Sequence, residues 1–174
     1  MDCDTISVNI MSKAERFEML VTDHRQEMVR LAWRLLGSHH AAAEDVAQQA
    51  FMKAWDRFDT FREQSSLSTW LTRITVNQVR SYQRWTAVRH RARHLLRMDQ
   101  KPTPVMRDHG LNQRIETAMT ALSTNQREAF ILVYLEGRAV SEVALCLGRS
   151  PGTVKSHLHR ALTKLREELK DLKE

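Results

Sequence analysis

Val140–Lys170, VSEVALCLGRSPGTVKSHLHRALTKLREELK, decides the fold of this chain. It reads as a short helix, a tight turn and a longer basic helix. Gly148 can take the positive φ that ends a helix at little cost. Ser150 is placed to cap the second helix, and Pro151 suits its first position, where a missing N–H costs nothing. Val154, Leu158, Ala161, Leu162, Leu165 and Leu169 then repeat on one face. Gly152, Lys155, Ser156, His159 and Thr163 fall opposite, flanked by Thr153 and Arg160. Such a small, polar, positive face suits a DNA major groove, and equally an ordinary solvated surface. The short helix before it tips the balance. Its Val140, Val143, Ala144 and Leu147 need a neighbour, as the first helix of a helix-turn-helix does.

Working outward, Leu111, Ile115, Ala118, Met119 and Leu122 give one more apolar face. Ser123, followed by Gln126, matches a capping box for a helix carrying Ala129, Phe130, Leu132, Val133 and Leu135. Upstream, Lys101-Pro102-Thr103-Pro104 cannot continue a helix and marks a linker. The expected architecture is all-α: two small helical domains, 1–97 and 111–174, joined by a flexible linker, 98–110, with the helix-turn-helix in the second.

The first domain reads as three helices behind a loose leader, residues 1–12. Phe17, Leu20, Val21, Met28, Leu31, Ala32 and Leu35 stripe the first, from about Lys13 to Leu36, and Gly37 ends it. The second, about Ala41 to Phe58, packs Ala47, Ala50, Phe51, Ala54 and Phe58. Asp45, Gln48 and Gln49 form a compact polar patch on its other side, which pattern alone reads as solvation. Asp59 to Ser66 is a loop with Phe58 and Phe61 as anchors. The third helix begins near Leu67 and runs to about Leu96, packing Leu67, Trp70, Leu71 and Ile74. Arg73, Asn77, Arg80 and Arg84 lie along another side, interleaved with Tyr82 and Trp85. Arginines among aromatics can clamp and stack an unpaired strand, or can be core aromatics with extended arginine stems.

The chain of 174 residues carries a formal net charge of +6. Between Arg80 and Arg107 stand eight Lys or Arg residues against one acid, Asp99, so an anionic partner fits. Cys3 and Cys146 lack metal-ligand spacing and suggest no disulfide scaffold, as for a reduced cytoplasmic protein. No apolar run is long enough to cross a membrane, and the N-terminus lacks a signal-peptide pattern. His24, His90, His94 and His109 are scattered, and His39-His40 has no third ligand nearby. No set has nucleophile–base or metal geometry, so no catalytic residue, metal or cofactor is expected.

The chain resembles the extracytoplasmic-function sigma factors of the sigma-70 family. Ala43-Glu44-Asp45-Val46-Ala47-Gln48-Gln49-Ala50-Phe51 with Trp55 matches region 2.2. Phe61, Ser65-Ser66-Leu67-Ser68-Thr69-Trp70-Leu71 and Ile74 to Asn77 match regions 2.3 and 2.4. Ala121-Leu122 through Arg127, Glu142-Val143-Ala144, Gly152-Thr153-Val154-Lys155-Ser156, Arg160-Ala161 and Leu165-Arg166 match region 4. The resemblance implies a non-catalytic factor that binds RNA polymerase core and directs promoter recognition and local melting. It implies that Asp45, Gln48, Gln49 and Met52 dock onto the polymerase clamp helices, which revises the solvated reading of that patch. Phe61, Ser65, Ser66, Arg73, Asn77, Arg80 and Arg84 would meet the single-stranded non-template −10 element and its upstream edge. Thr153, Lys155, Ser156, His159 and Arg160 would enter the duplex −35 element. The linker would run near the RNA exit path.

An anti-sigma factor, often membrane-anchored in the family, is an implied partner that would hold the protein near the inner membrane; no small-molecule substrate is implied. Two positions depart from the pattern. Ser81 stands where an Asp is common and His157 where an Arg is common; on the helical wheel His157 lies nearer the packed side. The rival reading is a helix-turn-helix regulator of the response-regulator type, not associated with core polymerase. Its N-terminal receiver would need alternating strands, which the first hundred residues do not show.

Overall fold

The computed structural model describes residues 11–61, 65–95 and 110–170. Among them every regular element is helical. In order these are α1 (Lys13–Leu36), α2 (Ala43–Arg57), α3 (Leu67–Leu95), α4 (Gly110–Ala121), α5 (Thr124–Phe130), α6 (Val140–Leu147) and α7 (Pro151–Glu168). Turns of 3-10 helix, Gly37–Ala42 and Phe58–Thr60, flank α2, and a π-helical turn, Ile131–Leu135, extends α5. The leader up to residue 10 and the segment 98–109 lie outside the described residues.

Local chemistry sets the helix starts. Ser12 Oγ accepts from the Glu15 amide at 3.2 Å, and the Glu15 carboxylate accepts from the Ser12 amide at 2.7 Å. Those bonds to Ser12 hold the Glu15 carboxyl below its usual range. Ser123 and Gln126 make the same reciprocal pair at α5. The expected start of the second helix moves from about Ala41 to Ala43, because Gly37–Ala42 winds as a tighter turn with His39 outside helical φ/ψ.

α1, α2 and α3 pack on one another. Ala43, Ala47, Ala50 and Ala54 are all buried and let α2 approach closely, while Met28, Leu31, Leu71 and Ile74 fill the space. Phe61 lies against Trp70, with ring centroids 5.2 Å apart, and anchors the loop before α3. In the second unit α7 is central, touching α4, α5 and α6. Ala118, Leu122, Ala161 and Leu165 form a small cluster at its far end.

The units also meet. α6 packs on α3, and Ile131, Leu132, Val143, Leu147, Val154 and Leu158 belong to the same continuous core as Leu31 and Leu71. Periodicity within each half gave no sign of this.

Two expected packing residues are corrected. Leu135 is 45% exposed, because the chain passes into a π turn in which the Glu136 amide bonds the Ile131 carbonyl at 2.9 Å. The wider turn moves later residues off the α-helical stripe, while Ile131, at its start, is buried. Ile115 is 42% exposed: among the described side chains of α4 only Ala118 is buried, with Leu122 just past its end, and Ile115 lines an open cleft with Trp33 and Met119. The side chain of Leu111 lies outside the described ones.

Gly148 adopts φ +62, and a Cβ there would meet nothing within 4 Å. Gly148→Ala therefore introduces backbone strain alone, about 1 kcal/mol, and Gly148→Asn less. Thermal melts should rank wild type above Asn above Ala; identical midpoints would contradict the left-handed turn.

Candidate nucleic-acid interface

The turn between α6 and α7 closes as the local chemistry requires. The Arg149 amide bonds the Ala144 carbonyl at 2.9 Å, the long-range bond of a glycine-ended helix. Ser150 Oγ accepts from the Thr153 amide at 3.1 Å and pairs with Thr153 Oγ1 at 2.9 Å. Val154, Leu158, Ala161 and Leu165 anchor α7 from below.

Above them, Lys155, Ser156, His159 and Arg160 are exposed and Thr153 is half-exposed. Ser156 Oγ donates to the Gly152 carbonyl at 3.0 Å and keeps its lone pairs outward. The face therefore offers cations and a hydroxyl on a narrow helix, with Gly152 allowing close approach. His157 is half-buried with Nδ1 turned inward, in agreement with the wheel.

On α3, Arg73, Asn77 and Arg84 are exposed, and Arg84 Nη2 donates to Ser81 Oγ at 3.2 Å. Ser81 lines an open cleft of about 540 Å³ with Asn77, Arg80, Arg84 and Thr124 of α5. Ser66 is an exposed cap whose Oγ accepts from the Thr69 amide at 3.1 Å; Ser65 and Phe61 are half-buried. Arg80 is half-buried and engaged. Its Nε donates to Glu128 Oε1 at 2.8 Å and its Nη2 to Glu128 Oε2 at 2.6 Å. That bond raises the Arg80 pKa further. Tyr82 is half-buried, whereas Trp85 is 54% exposed with the Arg89 guanidinium 5.0 Å from its ring centre.

On α2, Asp45, Gln48, Gln49 and Met52 are all exposed and share one face, with Met52 at 55%. Trp55 extends that face one turn further, held edge-on by Phe17 at 5.1 Å. An exposed methionine and tryptophan beside a carboxylate suit a protein partner better than bare solvent.

Sequence reasoning missed the acids that join the two units: Glu27, Glu128, Glu136 and Glu142. Arg138 Nη2 donates to Glu27 at 2.6 Å and to Ser68 at 2.9 Å. Arg34 Nη1 donates to Glu136 at 2.6 Å and to the Leu135 carbonyl at 2.8 Å. Thr69 Oγ1 donates to Glu142 at 3.4 Å. One signal was present: Glu128 stands four residues before buried Leu132, on the packed face, where a lone acid needs a partner.

A three-helix unit with a polar and aromatic outer surface, beside a helix-turn-helix with a cationic recognition face, defines a DNA-binding transcription protein. The described residues before α4 contain only helices, so they hold no strand-built receiver. Sigma-70 region 2 matches residues 20–93, and Sigma-70, region 4 matches residues 112–165. A probable RNA polymerase sigma factor, RfaY of Xanthomonas campestris pv. campestris, is 36% identical over 74% of this chain. The matched part is 34% of that protein's length. The RNA polymerase sigma-E factor of Streptomyces coelicolor is 32% identical, over 91% of this chain and 89% of its own. Among solved structures, the sigma factor RpoE in complex with the anti-sigma factor NepR, from Bartonella quintana, superposes with a TM-score of 0.67. It is 30% identical over 90% of this chain and 98% of that one. The chain belongs to the sigma-70 family, in its extracytoplasmic-function group, whose members are transcription factors and not enzymes.

Cys146 sits where α6 meets α3. Its Sγ donates to the Thr69 carbonyl at 3.4 Å, and burial pushes the thiol up from 9 to about 11. A raised thiol pKa contributes stability that is complete below pH 9 and lost as pH rises towards about 11. Urea melts of wild type and Cys146→Ala should diverge across that window, wild type losing up to about 1.4 kcal/mol more per pH unit. Parallel curves would contradict a buried thiol.

Proposed function

We propose that this chain is a promoter-specificity subunit that grips RNA polymerase with α2, opened DNA with α3 and paired DNA with α7. Asp45, Gln48, Gln49 and Met52 dock on core polymerase. Phe61, Ser65 and Ser66 hold the unpaired non-template strand of the −10 element, and Arg73, Asn77, Arg80 and Arg84 follow its upstream edge. Thr153, Lys155, Ser156, His159 and Arg160 enter the −35 major groove. The two DNA-reading domains span 1–97 and 111–174, with 98–110 between them. The observation that carries this reading is the exposed set Lys155, His159 and Arg160, without ion pairs among the described residues, on an anchored recognition helix.

The mechanism is binding coupled to strand opening. Taking a base out of the stack costs a few kcal/mol, which contacts to the extruded strand offset. Polymerase supplies the phosphoryl-transfer chemistry. The solved relative bound to NepR supports an anti-sigma factor as a further partner of this chain. None of the described helices is long and apolar enough to cross a membrane.

In vitro transcription with core polymerase on a promoter library tests the reading: transcripts should start downstream of a shared pair of elements, and none without this chain. Lys155→Ala should weaken duplex binding and flatten the log–log salt slope by about one unit, for one lost phosphate contact. Unchanged affinity and slope across a salt series would remove Lys155 from the groove. Met52→Glu should lower core-polymerase affinity at least about tenfold with helix content unchanged, since it places a charge in an apolar contact. Core affinity equal to wild type would move the docking face elsewhere.

A further inference from the structure

Tyr82 and Trp85 are an aromatic pair to which the three grips give no task. Trp85 is 54% exposed. Tyr82 is half-buried, with the His39 ring edge-on at 6.3 Å and the Trp85 ring tilted beside it at 6.2 Å. The two rings form one wall of a slot of about 220 Å³ between α3 and α2, completed by Gln78, Val46, Asp45 and Gln49. Val46 is buried, and the inner surface of the slot is almost wholly apolar.

An unpaired base fits this slot poorly. A base stacks on a flat, open ring face. Here the rings are inclined by 41°, which leaves no parallel gap between them, and the Arg89 guanidinium lies 5.0 Å from the Trp85 ring centre. Asp45 is the one charged side chain among the described walls, and a carboxylate at the mouth repels the phosphates that accompany any base. The same features suit a basic side chain. Arginine and lysine lay an aliphatic stem along apolar and aromatic surface and carry a cation that seeks a carboxylate or a ring face.

The slot is also continuous with the α2 face. Asp45 and Gln49 line it, and both are exposed on the side of α2 that carries Gln48 and Met52. That face therefore does not end at α2 but crosses the groove onto α3. There Trp85 stands beside the stripe of Asn77 and Arg84 rather than on it.

We propose that the Tyr82–Trp85 slot belongs to the polymerase-docking surface and receives an arginine or lysine side chain of core polymerase, with Trp85 as the apolar anchor and Asp45 as the counter-charge. The proposal rests on the assignment of the α2 face to core polymerase. A tryptophan that is exposed in the free chain and covered on docking is the kind of residue that dominates an interface.

The test is the affinity of the whole chain for core polymerase without DNA, measured by biolayer interferometry across a salt series. Trp85→Ala should lower it at least about tenfold with the circular dichroism spectrum unchanged, and Trp85→Phe, which keeps a ring, less than about threefold. Asp45→Asn should lower it about threefold at low salt, and the difference from wild type should shrink as salt rises. The double variant should lose less than the product of the two single losses, because both residues hold one side chain.

Wild-type core affinity in Trp85→Ala, beside weak binding by Met52→Glu, would overturn the slot and leave the α2 assignment standing. Wild-type affinity in both would overturn the α2 assignment as well. Strictly multiplicative losses would overturn a shared side chain. Unchanged core affinity in Trp85→Ala with weakened binding to short single strands would make the slot a nucleic-acid contact and overturn the proposal.

Discussion

A carboxylate kept ionised in the interior needs donors aimed at its oxygens, and for Glu128 the donor is Arg80 of the other unit. That constraint ties the second unit to α3. Glu128 lies on the packed face of α5, where Arg80 meets both of its carboxylate oxygens. Glu136 reaches Arg34 and Arg138 reaches Glu27 by the same logic, and between these ties α6 lays Val143, Cys146 and Leu147 into the core. Apolar burial supplies most of the stabilisation, while the ion pairs fix which surfaces meet and in what register.

The same constraint explains how one chain carries the three proposed working surfaces without interference. The outward face of α2 takes no part in joining the units, so Met52 and Trp55 remain exposed there. α7 contributes its apolar side to the shared core and turns its cationic side out. α3 serves both purposes, with Trp70, Leu71 and Ile74 inward and Arg80 held by Glu128 of the second unit, while Arg73, Asn77 and Arg84 stay exposed.

Much of this was legible in the sequence because it is local. Gly148, Ser150 and Pro151 fix the turn within a few residues, and the Ser123–Gln126 box fixes the start of α5. The stripes of α1 and α7 were also local, and the helix-turn-helix follows from them. The rest is non-local. The π turn at Ile131–Leu135 has no periodic signature, so it displaced Leu135 from the expected face. Ion pairs that link residues far apart in the chain, such as Arg138 with Glu27, leave no pattern in either segment. The exposure of Trp85 was undecidable from spacing, since the same interval suits a core aromatic or a stacking surface.

The packing of α6 on α3 connects fold to function here, because it joins the helix-turn-helix to the unit that carries the arginine stripe. A distance measured between fluorophores on exposed positions of α2 and α7, such as Arg57 and Thr163, tests it most directly, with and without the paired substitutions Glu128→Gln and Arg138→Gln. The account predicts one short distance in the unsubstituted chain and a longer, broader distribution in the variant. The same distance distribution in both conditions would contradict it.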